Sequence, residues 1–154
     1  MRRLILVLAF LTLASTARAQ ETQPFAWRPA HRASAGHISD VLVWSNVVLD
    51  VVHSARADDK RHAFLSQGCR LGLTIGVTEV VKRSVGRLRP DGSDHMSFWS
   101  GHTATAMQAA GWRYSVGLPI AFGAGYMRMA ADRHYFTDVA AGAGFGFLAS
   151  KVCR

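Results

Sequence analysis

The sequence predicts an all-α fold, a single bundle of about five helices. Apolar residues recur at helical spacing in successive segments, and no run of useful length alternates at the two-residue period of a strand. Glycines are also spaced to share helix faces: Gly68, Gly72 and Gly76 in one segment, Gly142 and Gly146 in another. Small residues at that spacing let helix backbones approach closely.

The 154-residue chain opens with a segment that reads as a secretory signal over 1–19. Arg2 and Arg3 are basic, Leu4 to Ala14 is uncharged and apolar apart from Thr12, and Ala17-Arg18-Ala19 is a small-x-small cleavage site. Residues 20–37 carry two prolines and no apolar period, and are expected to form an irregular arm. The helical domain is expected over 38–154. Ser39 and Asp40 can cap a first helix to about Ser54, with Val41, Leu42, Trp44, Val48, Val51 and Val52 as its apolar positions. A polar connector over 55–60 leads to a long helix from Arg61 to about Arg87. Pro90 stops it, because the residue before proline avoids the helical region. A loop rich in Asp, Gly and Ser covers 91–98. Ser100 and Gly101 open the next helix, to about Arg113. Another spans 116–132, with Pro119 in its first turn. The last starts near Thr137 and reaches about Cys153.

Loss of the leader removes Arg2, Arg3 and Arg18 and no acidic residue, so the formal charge falls from +8 to +5. Lys82, Arg83, Arg87 and Arg89 concentrate part of that excess locally, which suits a small anion. No helix-turn-helix, zinc-finger or basic-aromatic strand pattern is present, so nucleic acid is not an expected partner. Cys69 and Cys153 lack metal-site spacing; in an oxidising compartment a disulfide between them is allowed. After the leader the longest run free of both charged residues and histidine is Tyr114 to Met127, 14 residues, short of the roughly 20 that a spanning helix needs. The expectation is an exported protein, periplasmic or secreted, that is soluble or attached peripherally to a membrane.

Three fragments carry the chemistry. In the first, Lys82 and Arg89 are seven residues apart and would share one helix face. Arg89 can grip an anion through two parallel N–H bonds, while Lys82 supplies a mobile point charge. In the second, Ser100-Gly101-His102 sits at a helix start, where backbone N–H groups attract anions. Ser100 adds a hydroxyl, and Gly101 lets the backbone approach a ligand. In the third, Arg128 precedes His134, and Asp138 follows His134 by one helical turn. Asp138 can therefore accept from one ring nitrogen, leaving the other as a nucleophile. His95, in the loop between motifs, is a candidate substrate contact. Phe98, Trp99, Tyr135 and Phe136 flank the motifs and can either pack or form an apolar mouth.

The order and internal spacing of these fragments resemble the signature of the phosphatidic acid phosphatase type 2 and vanadium haloperoxidase superfamily: Lys-x6-Arg-Pro, Pro-Ser-Gly-His and Ser-Arg-x5-His-x3-Asp. Lys82, Arg89 and Pro90 match the first, Ser100, Gly101 and His102 the second, Arg128, His134 and Asp138 the third. Trp99 replaces the family proline and Met127 the family serine, and the gaps between fragments are shorter than is typical.

The resemblance implies a phosphoric ester hydrolase acting on phosphate monoesters or lipid-linked phosphates. His134 would attack phosphorus and form a phosphohistidine, with Asp138 orienting it. His102 would protonate the leaving oxygen and then deprotonate water. Lys82, Arg89, Arg128, Ser100 and the Gly101 N–H would hold the phosphoryl oxygens. No metal or other cofactor is implied. Trp99 is expected to contact the leaving group. The alternatives are a haloperoxidase, which would carry vanadate at His134, and a phosphate-binding protein without turnover. The oligomeric state is open.

Overall fold

The structure is a computed structural model that describes residues 29–153; the expected leader over 1–19 and residues 20–28 of the arm lie outside the described residues. The all-α expectation holds. The described residues form α1 (Pro29–Ala55), α2 (Lys60–Val85), α3 (Gly101–Ala109), a 3-10 turn (Ala110–Trp112), α4 (Tyr114–Ala130) and α5 (Phe136–Ala149).

Helix α3 is the axis of the bundle and packs against α1, α2, α4 and α5. Thr103, Ala104, Ala106, Met107, Gln108 and Ala109 are all buried along it. Close approach explains this small-residue composition. A Cβ at Gly142 would lie 2.5 Å from the Ser100 carbonyl oxygen, and one at Gly146 would collide with the Ala104 carbonyl. The expected small-residue contact therefore exists between α3 and α5. It does not exist on α2, where nothing lies within 4 Å of a Cβ at Gly68, Gly72 or Gly76.

The arm expected to be irregular is helical from Pro29 onward. Proline is harmless at the first helical position, and tertiary packing supplies what the missing apolar period did not. Ala35 is buried against Ala130 and Ala131, and Arg32 Nε lies 2.6 Å from Asp132 Oδ2. Ser39 and Asp40 consequently sit within α1 instead of capping it. Ser39 Oγ donates to the Ala124 carbonyl at 3.1 Å. Asn46 ties three elements together: its amide donates to the carbonyls of Ala106 (2.8 Å) and Gly117 (3.1 Å) and accepts from Trp112 Nε1 (3.1 Å).

The search for a spanning segment by uncharged run length missed α1. Its stretch His31–Ala55 is long and apolar enough to cross a membrane by length and composition. Asp40 and Asp50 interrupt the uncharged run; Asp40 is half-exposed and lines a cavity beside Arg128. Asp50 is buried and pairs with Arg70 at 3.5 Å. Val41, Trp44, Val48, Val51 and Val52 are exposed. Polar groups turned inward with apolar groups outward is the pattern a lipid-facing helix requires.

Cys69 on α2 and Cys153 beyond the end of α5 form a disulfide, with Cα atoms 6.1 Å apart. It ties the two helices together across 84 residues of sequence. Such a link constrains the unfolded chain, for about 2–5 kcal/mol of stability.

Candidate active site

Helix α2 ends earlier than expected. Gly86 takes a left-handed conformation (φ 59°), and its N–H bonds the Lys82 carbonyl. Lys82 remains on the last helical turn, whereas Arg89 lies in the following loop. The two are not aligned by helical periodicity; the loop folds back to place them. Arg89 N–H donates to the Asp94 carbonyl at 2.9 Å, and Arg89 Nε donates to Asp94 Oδ1 at 2.7 Å.

Ser100 caps α3 and is fully buried. Its oxygen accepts from Thr103 N (3.4 Å) and Thr103 Oγ1 (2.9 Å), and its N–H donates to the Asp138 carbonyl at 3.0 Å. A Cβ on Gly101 would lie 3.8 Å from Lys82 Nζ, so the α3 N-terminus faces the lysine over bare backbone. Arg128, on the last turn of α4, is buried, and its Nε has no acceptor.

His134 precedes α5 and is only 1% exposed. The expected direct bond from Asp138 is not formed: His134 Nδ1 lies 3.9 Å from Asp138 Oδ2 but 2.7 Å from the Ser97 carbonyl oxygen. A carbonyl can only accept, so Nδ1 carries the proton and the lone pair of the neutral ring is on Nε2. The reason for the change is where the helix begins. Asp138 is in the first turn of α5, and its carboxylate is turned to the backbone. Oδ2 accepts from Tyr135 N (2.9 Å) and Ser97 Oγ (2.5 Å), and Oδ1 accepts from Arg87 Nη1 (2.6 Å). Arg87 also bonds Thr137 Oγ1 at 2.9 Å and stacks over the Tyr135 ring. Asp138 thus supports the histidine through Ser97.

Burial, with Arg128, Lys82 and Arg89 around it, holds the His134 imidazole well below the usual histidine range; the Ser97 carbonyl opposes this. The nucleophile candidate is therefore neutral. His102, in the first turn of α3, is pushed down to about 4 by burial, with Arg128 and Lys82 adding to the shift and Asp40 opposing it. His102 Nε2 lies 2.8 Å from Asp40 Oδ1, which is also 3.6 Å from Arg128 Nη1.

Two cavities flank this contact. One, of about 620 Å³, is lined by Asp40 and Asp91 together with Arg32, Arg89, Arg128 and Arg133. The other, of about 250 Å³, has Val43, Trp44 and Ile75 as apolar walls and Lys82, Gly101 and His102 at its polar end. The first suits an anionic head group and the second an apolar one.

The structure thus groups Lys82, Arg89 and Arg128 around His134, and Lys82, Gly101 and His102 at one cavity. Trp99 does not reach that cavity. It is 2% exposed, stacks on Phe145 with ring centroids 4.6 Å apart, and donates Nε1–H to Thr78 Oγ1 at 2.8 Å. The expected leaving-group contact is therefore a core residue; indole area and a satisfied N–H favour burial. Phe98 and Tyr135 are buried as well, and only Phe136 of the four flanking aromatics is exposed. His95 is exposed on its loop, with Nδ1 3.2 Å from the Gly86 carbonyl oxygen, and lines neither cavity.

Asp40, Arg87 and Ser97 went unrecognised as site residues. Asp40 resembled a helix cap, Arg87 one more charge in a basic run, and Ser97 acts partly through its backbone, which no side-chain pattern reveals. Among the described residues, no group of three or more His, Cys, Asp or Glu side chains forms a metal centre.

No protein-family model matches the sequence. A lipid A 1-phosphatase of Porphyromonas gingivalis is 34% identical over 99 residues, 57% of this chain and 22% of that protein. The chain thus matches about a fifth of that relative's length. In fold, the chain is similar to the crystal structure of a transmembrane PAP2-type phosphatidylglycerolphosphate phosphatase from Bacillus subtilis. The TM-score is 0.58 at 21% identity, over 97% of this chain and 92% of the other. This likeness overturns the expectation of an exported soluble or peripherally attached protein, because the shared fold is that of a transmembrane phosphatase. The outward apolar face of α1 gives the physical reason. With its three motifs assembled on this fold, the chain resembles the phosphatidic acid phosphatase type 2 superfamily in both motif order and architecture.

Proposed function

We propose that this protein hydrolyses lipid-linked phosphate monoesters by a metal-independent mechanism with a phosphohistidine intermediate at His134. The observation that carries this reading is the set of three cations around one neutral, buried histidine. Lys82, Arg89 and Arg128 come from three separate segments, and all act on the His134 imidazole. Asp94 and Asp40 offset Arg89 and Arg128 only in part, and a phosphoryl group is a ligand that three such cations suit. Preorganised donors of this kind stabilise the charge of a phosphoryl-transfer transition state.

In the proposed reaction, the His134 Nε2 lone pair forms the N–P bond as the P–O bond to the leaving group breaks. His102 gives the departing oxygen its proton. Water then attacks phosphorus, the N–P bond breaks, and His102 takes a water proton. Lys82, Arg89, Arg128 and the Gly101 N–H hold the phosphoryl oxygens, and Ser100 shapes the α3 N-terminus that presents Gly101. The lipid class is supported by the apolar cleft beside His102, where Val43, Trp44 and Ile75 adjoin the proton donor. It is also consistent with the lipid phosphatase to which part of the chain is similar.

The test is phosphate release from alkyl and glycolipid phosphates by purified protein in detergent micelles containing chelator. Release that survives chelation and is blocked by vanadate supports the reading. Activity lost on chelation and restored by a divalent cation contradicts it.

A further inference from the structure

Helix α1 lies outside all three motifs, yet it puts a carboxylate into the site. Asp40 Oδ1 is 2.8 Å from His102 Nε2, at a cavity lined by Arg32, Arg89, Arg128 and Arg133; the other carboxylate there, Asp91, is paired with Arg133 at 3.3 Å. A carboxylate there opposes anion binding, so its presence calls for another role. A carboxylate only accepts hydrogen bonds, so His102 Nε2 carries the hydrogen and the exchangeable position is Nδ1. Asp40 is about half-exposed, but its bond to the ring is of the kind by which a carboxylate fixes the tautomer of a catalytic histidine and stabilises its imidazolium.

We infer that Asp40 is the positioning residue of the proton-transfer histidine, forming an Asp40–His102 dyad that holds His102 ready to give its Nδ1 proton to the leaving oxygen. The proton leaves Nδ1 as the P–O bond breaks and returns to Nδ1 from water as the new P–O bond forms. The charged groups around His102 are Asp40 from α1, Lys82 and Glu79 from α2, and Arg128 from α4. Two nearby cations disfavour the imidazolium, and Asp40 is the group that bonds it directly. Its second contact, 3.6 Å from Arg128 Nη1, links the proton donor to the phosphate-binding arginine. This inference rests on the proposed phosphatase reading for its chemistry, but the dyad can be tested without turnover.

The experiment has two arms. In the first, the His102 imidazole of labelled protein in micelles is titrated by NMR, its signals being assigned with His102→Ala. Asp40→Asn should lower the His102 midpoint, and Asp40→Glu should restore part of it. An unmoved midpoint in Asp40→Asn overturns the inference. In the second, kcat/KM is measured on dodecyl phosphate and p-nitrophenyl phosphate. Asp40→Asn should lower the alkyl ester rate by about tenfold or more, the scale of general acid catalysis, and the aryl ester rate much less. In a His102→Ala background it should add no further loss. Equal losses on both esters, or additive losses with His102→Ala, overturn the inference. If wild-type protein hydrolyses neither ester, the phosphatase reading falls and the titration alone decides on Asp40.

Discussion

The Ser97 carbonyl oxygen lies 2.7 Å from His134 Nδ1 and holds the ring that Asp138, at 3.9 Å, does not bond directly. Ser97 also donates its hydroxyl to Asp138, so one residue connects carboxylate and imidazole. Ser97→Ala keeps the carbonyl and loses about 1 kcal/mol of hydrogen bonding. It should slow phosphoenzyme formation by less than about tenfold. Asp138→Ala removes the acceptor of the Ser97 hydroxyl and leaves Arg87 without its buried partner, and should cost considerably more. Rapid-quench measurement of the phosphoenzyme in both variants checks the order.

Arg87 and Asp138 form a buried ion pair, with side chains 5% and 0% exposed. Removing one partner of such a pair leaves an uncompensated charge and costs about 3–5 kcal/mol. Arg87→Ala should therefore destabilise the fold strongly. Arg83 is the control: its side chain is 76% exposed, 3.7 Å from Glu79, and Arg83→Ala should cost only about 0–1 kcal/mol. Denaturant titration in micelles measures both.

Trp99→Ala should act through the core. Loss of a large buried aromatic costs about 3–5 kcal/mol. Because Trp99 lines neither cavity, the fraction of protein that stays folded should keep the wild-type preference between small and lipid-like esters. A melting curve, with kinetics on one ester of each kind, checks this. A selective loss on the lipid-like ester would place the indole in the substrate path.

Legibility in the sequence followed the kind of information needed. Fold class was readable because α-helical periodicity survives in a bundle whose outer helices bury one face against a central one. The motif residues were readable because the pattern is written in side-chain type and spacing. The path of the chain between them was not. Gly86 stops α2 three residues before Arg89, so Lys82 and Arg89 meet through a folded loop. The apolar outer face of α1 was hidden because Asp40 and Asp50 break the uncharged run; in the structure Asp50 is buried against Arg70 and Asp40 lies beside Arg128. Trp99 was misread because its neighbours in space, Phe145 and Thr78, are remote in sequence.

His102 gives the pH dependence a definite sign. Burial lowers it to about 4 in the unliganded protein, so its protonated form is scarce at neutral pH. The acid form grows as pH falls toward that value. The His134 nucleophile stays unprotonated through the ordinary histidine range, because burial and the cations hold its pKa well below it. The kcat/KM for an alkyl phosphate should therefore rise relative to that for an aryl phosphate as pH is lowered from neutrality. Taking the ratio cancels most of the titration of the substrate phosphate. A ratio that is flat with pH would remove His102 from the proton-donor role.

The phosphoryl-enzyme itself tests the central claim most directly. Purified protein in chelator is mixed with a radiolabelled phosphate ester, quenched in alkali and digested for peptide mapping. The account predicts an acid-labile, alkali-stable phosphoryl group on His134, lost together with turnover in His134→Ala. Continued turnover in His134→Ala, or wild-type turnover with the label on another residue, would contradict it.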